Sequence, residues 1–278
     1  MNKIIAAIDG LKFSESVVKY AIDLTKKVHG HLVGVFLDDF TYHSYSVYQL
    51  ATAEGVIESE LKEFQEKDSN LRLESAVRFE NLCADAGIEF SLHHDRNIAI
   101  VQLLHESIYA DLLLIDKAET LTRFIEKVPT RFVRDLLSNA QCPVMIVPDE
   151  FKEIEQVIFL YDGQPSSVYA VKMFSCLFGN VKFKTEVLSI KKENQNLHLP
   201  DNRLMKEFMQ RHCPEAEYFI LKGNPEDEIV KFVNRSKKNS LVVMGSYQRG
   251  TISMWFHESM ADKLMKETDC PLFIAHYK

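Results

Sequence analysis

Apolar residues along the chain alternate between short unbroken runs and longer stretches where they recur every three or four positions. The first run, KIIAAIDG (Lys3 to Gly10), leads through Ser14 and Ser16 into the amphipathic stretch Val17 to Val28. A second run, HLVGVFL (His31 to Leu37), follows, and its length and β-branched content predict a strand. Ile98 to Ile108 reads as a helix and ADLLLID (Ala110 to Asp116) as a strand, and a last helical segment runs into CPVMIV (Cys142 to Val147).

The same order then repeats. QVIFLYDG (Gln156 to Gly163) precedes Ser166, Ser167 and an amphipathic stretch to Phe178. Thr185 to Ile190, the helical Pro225 to Ser236, NSLVVMG (Asn239 to Gly245) and CPLFIA (Cys270 to Ala275) complete the second copy. The first copy carries a longer insert between its second and third strands, roughly Asp38 to Gly87, with a helical run from Ala53 to Phe64. The second is trimmed there, to roughly Lys191 to Pro214.

Continuous apolar strands alternating with amphipathic helices are the pattern of a parallel sheet covered on both faces. The expected fold is α/β: two tandem copies of a five-stranded, mostly parallel, Rossmann-like sheet. The copies should span 1–148 and 154–278, joined through the polar segment PDEFKEIEQ, Pro148 to Gln156. A length of 278 residues agrees, at roughly 150 residues per domain.

Composition narrows the function classes. Lys and Arg number 33 against 40 Asp and Glu, a formal charge of −7, so nothing draws the chain to nucleic acid or anionic lipid. Apolar runs stop far short of the ~20 residues that cross a bilayer, and the amino terminus lacks the apolar core of a signal peptide, so a cytoplasmic protein is expected. Five cysteines without a CxxC pair predict reduced thiols rather than a disulfide framework or zinc ribbon. Walker, GxSxG and HExxH motifs are missing from the sequence. His93 and His94 neighbour each other on a strand end and should point to opposite faces, so no metal site is expected.

The Asp-Gly after the first strand of each copy, the Gly-led loop after the fourth strand of the second and the Cys-Pro before each last strand resemble the universal stress protein family, here in tandem. The stretch Val242 to Ala275 carries the most diagnostic part. ATP-binding members of that family share a loop G-x2-G-x9-G-[S/T] between strand four and the last helix. Glycines let backbone N–H groups approach phosphate oxygens, and a hydroxyl at a helix start adds a donor where the dipole favours an anion. Laid onto the second copy, this pattern matches Gly245 and Ser259, while Gln248 and Glu258 replace the other glycines. Gly250 and Arg249 stand nearby as a flexible position and a cation. The first copy has no glycine there: Asp116 or Lys117 stands at the first position, and Thr130 and Arg131 at the Gly-Ser pair.

The family's adenosine-contacting Asp is matched by Asp9 and Asp162, although Asp-Gly is also good turn chemistry. The resemblance implies a non-enzymatic stress-response module that binds ATP or another adenine nucleotide in the second copy. A slow hydrolase, with Asp162, Glu258 and His257 as candidate groups, and a ligand-free interaction protein are the alternatives. The aromatic tract Phe40 to Tyr48 and the run Trp255 to His257 are read as pocket lining or as cover for an apolar face. The final strands of the two copies are expected to pair within the chain, leaving surface for a homodimer or another protein partner.

Overall fold

A computed structural model describes residues 2–37, 58–95, 98–194, 196–246 and 260–276. The first copy supplies strands β1 (Lys3–Ile8), β2 (His31–Leu37), β3 (Glu89–Asp95), β4 (Leu112–Asp116) and β5 (Val144–Val147). Helices α1 (Glu15–Val28), α2 (Glu58–Ala86), α3 (Ala99–Ser107) and α4 (Arg131–Asn139) connect them. The second copy supplies β6 (Gln156–Leu160), β7 (Lys184–Lys191), β8 (Glu217–Lys222), β9 (Ser240–Ser246) and β10 (Leu272–His276). Its helices are α5 (Pro165–Phe178), α6 (Asn202–His212), α7 (Pro225–Arg235) and α8 (Met260–Glu267).

Local chemistry sets several helix starts. Ser14 accepts the Val17 amide at 3.4 Å to begin α1, and Asn224 accepts the Glu226 amide at 2.9 Å to begin α7. Pro225 occupies the first turn of α7, where Glu226, Asp227 and Glu228 also complement the helix dipole. Each unbroken apolar run becomes a strand buried on both faces, as in β1 and β5.

All ten strands form a single sheet in the order β3-β2-β1-β4-β5-β10-β9-β6-β7-β8. Every neighbouring pair is parallel except β5 with β10, which meet antiparallel with Phe273 opposite Met145. Each half repeats the doubly wound order, one reversed against the other, so the carboxyl ends of β1 and β4 point opposite to those of β6 and β9. One face of the sheet is covered by α1, α2, α5 and α6, with Val17, Phe79, Phe174 and Met209 in its core. The other is covered by α3, α4, α7 and α8, with Leu103, Val133, Val233 and Leu264. Both layers draw residues from both copies.

Helix α2 runs on to Ala86, well past the Ala53 to Phe64 stretch where its pattern is visible; residues 53–57 lie outside the described residues. Its buried stripe is thin. Asp68, Ser75, Ala76, Phe79 and Cys83 turn inward, two of them polar, and most other described positions are solvent-facing. Such a helix gives little amphipathic signal.

Phe273 sits fully buried at the seam, edge to face with Phe174 at 5.5 Å between ring centroids. Phe273→Ala should lower unfolding free energy by about 3–5 kcal/mol in urea titration. A loss below about 1 kcal/mol would mean that the seam packs loosely.

Candidate functional site

Open parallel sheets bind ligands at the carboxyl ends of strands where the winding direction reverses. This chain has two such crevices, between β1 and β4 and between β6 and β9.

The first is occupied by its own side chains. Asp9, buried to 1% exposure at the end of β1, accepts the Leu11 amide at 2.8 Å in an Asx turn. Across the crevice, Asp116 at the end of β4 accepts the Ser14 hydroxyl at 2.8 Å and the Ala118 amide at 2.9 Å. Glu119 follows, 8% exposed, with its carboxylate accepting the amides of Thr120 at 2.9 Å and Leu121 at 2.8 Å. Those contacts hold Leu121 at φ 47°, a left-handed conformation unfavourable for a branched residue. Lys12 donates to the Thr120 hydroxyl at 3.4 Å and to the Thr122 carbonyl. Fully buried Thr130 donates to the Glu119 carbonyl and caps α4 by accepting the Val133 amide at 3.2 Å.

Burial pushes the Glu119 carboxyl up to about 7, and the negative charges of Asp9 and Asp116 push the same way against the Leu121 amide and Lys12. A carboxyl raised in the folded state favours folding below its unfolded value and loses that contribution as pH climbs toward 7.

The second crevice is built differently. Asp162 is exposed and its carboxylate accepts the Gln164 amide at 2.9 Å, again an Asx turn. Gly163, at φ 88°, lies against Pro200, which a Cβ would meet at 2.6 Å. Gly245, one residue before the end of β9, lies against the first turn of α5: a Cβ there would lie 2.2 Å from the Ser166 carbonyl oxygen and 2.8 Å from the Ser167 nitrogen. Packing alone therefore demands this glycine. Asp162 and Gly245 thus frame one crevice, while Asp9 belongs to the other. Gln248, Arg249, Gly250, Glu258 and Ser259 lie outside the described residues, as do Trp255 to His257 and the tract Phe40 to Tyr48.

The histidine pair divides between the sheet faces. His93 Nδ1 lies 2.6 Å from a Glu106 oxygen, whereas the His94 ring stacks on Phe36 at 4.8 Å. Among the described residues no cluster of three metal-ligating side chains forms. The described cysteines are unpaired, and burial pushes the thiols of Cys83 and Cys142 up to about 12. Sequence reasoning missed the crevice-filling set of Lys12, Ser14, Asp116 and Glu119, whose one visible signal was charged residues where the second copy has a Gly-led loop.

A tandem, doubly wound α/β fold with paired switch-point crevices defines the class. Residues 182–276 match the sequence profile of the Universal stress protein family, and the whole chain has the fold of two such domains in tandem. A universal stress protein of Synechocystis sp. is 20% identical over 298 residues, covering 98% of this chain and 99% of that protein. The crystal structure of a universal stress protein from Archaeoglobus fulgidus superposes with a TM-score of 0.67 at 17% identity, covering 99% of this chain and 98% of that one. The cytoplasmic domain of a prokaryotic cation chloride cotransporter superposes with a TM-score of 0.51 at 10% identity, covering 98% of this chain and 94% of that one. Among the described residues no helix is long and apolar enough to cross a membrane.

Two outcomes follow from the crevice chemistry. Glu119 should withdraw roughly 2–3 kcal/mol of stability between pH 5 and pH 8, and Glu119→Gln should remove that component from the pH dependence of urea unfolding. Identical slopes in both proteins would contradict the buried carboxyl. Separately, Gly245→Ala should cost about 1–3 kcal/mol without any ligand present, as the α5 backbone must move away; unchanged thermal unfolding would contradict that contact.

Proposed function

We propose that the chain is a non-enzymatic binding or sensing module in which the second copy takes an adenine nucleotide and the first copy has given up that role. The contrast between the crevices carries this reading. In the first, the Asp116 carboxylate and the buried Glu119 stand where the resemblance puts a phosphate-facing loop, and an ionised carboxylate against phosphate is repulsive at any dielectric. In the second, Asp162 stands exposed at the mouth, and Gly245 lets β9 and the start of α5 come together with no side chain between them.

The chemistry expected there is recognition rather than turnover. Asp162 would accept hydrogen bonds from a ribose, and Arg249 and Ser259 would meet phosphate, as the family resemblance implies. Binding would stabilise the second copy by mass action and offer a partner a changed surface. No partner class is favoured, because one fold serves many functions.

Isothermal titration of ATP, ADP and AMP with Mg²⁺ into the full chain tests this. The expected outcome is saturable binding at one site per chain, weakened about tenfold or more by Asp162→Ala through loss of a charged hydrogen-bond acceptor, and tightened by Glu258→Gly. Because Gly245 is needed for packing, Asp162 is the cleaner probe. Silence up to millimolar nucleotide would leave the ligand-free interaction module as the correct reading, and phosphate release during the titration would favour the hydrolase.

A further inference from the structure

The segment that fills the first crevice is anchored at few points. From Thr122 to Val128 no residue is buried, and the segment bonds mainly to itself: the Thr122 hydroxyl accepts the Phe124 amide at 3.3 Å, and the Glu126 carboxylate accepts the Arg131 amide at 2.8 Å. At the apex Phe124 is 62% and Ile125 100% exposed. The anchors gather around one carboxyl. Glu119 fixes the amides of Thr120 and Leu121, and Leu121 buries its side chain from a left-handed backbone at φ 47°. Thr130 donates to the Glu119 carbonyl, and Lys12 reaches from the turn after β1 to the Thr120 hydroxyl and the Thr122 carbonyl.

The geometry suits a protonated Glu119. Both amides bond to the same oxygen, Oε1, so the other oxygen can carry a proton without either bond being lost. The charged groups that bear on this carboxyl are Asp9 and Lys12 from the turn after β1 and Asp116 from the end of β4, two negative against one positive. Helix α4 contributes the uncharged Thr130 at its start. Burial raises the carboxyl to about 7, and Asp9 and Asp116 push the same way. Once the proton leaves, a third carboxylate stands in one buried crevice, and the strained backbone at Leu121 has lost its neutral anchor.

We propose that the first copy is a proton sensor, in which the segment from Lys117 to Thr130 is a latch that stays closed over the crevice while Glu119 holds a proton on Oε2 and opens locally when that proton leaves. The ligand of this copy is then a proton, not a nucleotide. In the open latch the carboxyl is solvated and titrates at its ordinary value, below that of the closed latch. Opening therefore releases a proton, so the open population climbs with pH between the two values and levels off above the higher one. Closed, the latch holds Phe124 and Ile125 at a fixed place on the surface, with the Arg123 guanidinium 4.7 Å over the Phe124 ring; open, it frees both and bares Leu121. Weakly anchored segments open in this way while the surrounding sheet stays folded.

Backbone amide hydrogen exchange of the full chain without nucleotide, expressed as protection factors so that the intrinsic pH dependence of exchange is divided out, tests the proposal. Protection of the Thr120 and Leu121 amides should fall about fiftyfold between pH 5 and pH 8. At pH 8 it should stand at least about a hundredfold below that of Ile5 and Val33 in the central strands, which marks local opening rather than global unfolding. Glu119→Gln should abolish the pH dependence. Asp9→Asn, which keeps an oxygen for the Leu11 amide but removes a negative charge, should move the midpoint to lower pH. Protection that stays flat in the unsubstituted chain, a fall that persists in folded Glu119→Gln, a midpoint that Asp9→Asn leaves in place or raises, or one common protection factor for latch and central strands would overturn the proposal.

Discussion

The antiparallel pairing of β5 with β10 is the contact on which the rest of the architecture depends. Each is a short apolar strand that would otherwise leave a row of unpaired amides and carbonyls at a sheet edge. Pairing them satisfies both rows and merges two five-stranded sheets into one. Because the pair is antiparallel, the two switch-point crevices open in opposite directions. Polar contacts reinforce the join: Arg134 of the first copy donates to Asp262 of the second at 3.0 Å, and Lys117 bridges Asp269 at 3.2 Å. The fold therefore behaves as a dimer of domains closed within a single chain.

Within that frame the two copies have diverged at equivalent positions through small chemical changes. Where the second copy keeps Gly245, whose missing side chain allows the backbone of α5 to approach, the first has Asp116 held by Ser14. Beyond it the first copy inserts Glu119 into its own loop. Burying that carboxyl beside Asp9 has an electrostatic cost that the two local amides and Lys12 only partly offset.

Much of this was legible in the sequence because strands buried on both faces must be continuous apolar runs, and the eight such segments, four in each copy, stand in the fold; β3 and β8, the two edge strands, have charged ends, are only partly buried and stand outside that set. The turn chemistry of Asp9 and Asp162 was equally visible as one of two readings of Asp-Gly after a strand, and both side chains do form Asx turns. Helix α2 was read short because its inner stripe includes Asp68 and Ser75, which carry no hydrophobic signal. Glu119 could not be found from sequence: its burial depends on how residues 117–130 fold back over β1, a long-range arrangement that no spacing encodes. Gly245 was legible as a glycine with a purpose, but its contact with the Ser166 carbonyl, which makes it structurally necessary, required coordinates.

The asymmetry between the crevices is the central claim, and backbone amide chemical-shift mapping of the isotope-labelled chain with Mg²⁺ and ATP tests it most directly. Shifts confined to the neighbourhood of Asp162 to Ser167 and Gly245, with the amides of Leu11, Thr120 and Leu121 unmoved, are the predicted result. Perturbation of Leu11, Thr120 and Leu121 at comparable nucleotide concentration would contradict it, because it would mean that the first crevice admits a ligand despite the carboxylates that fill it.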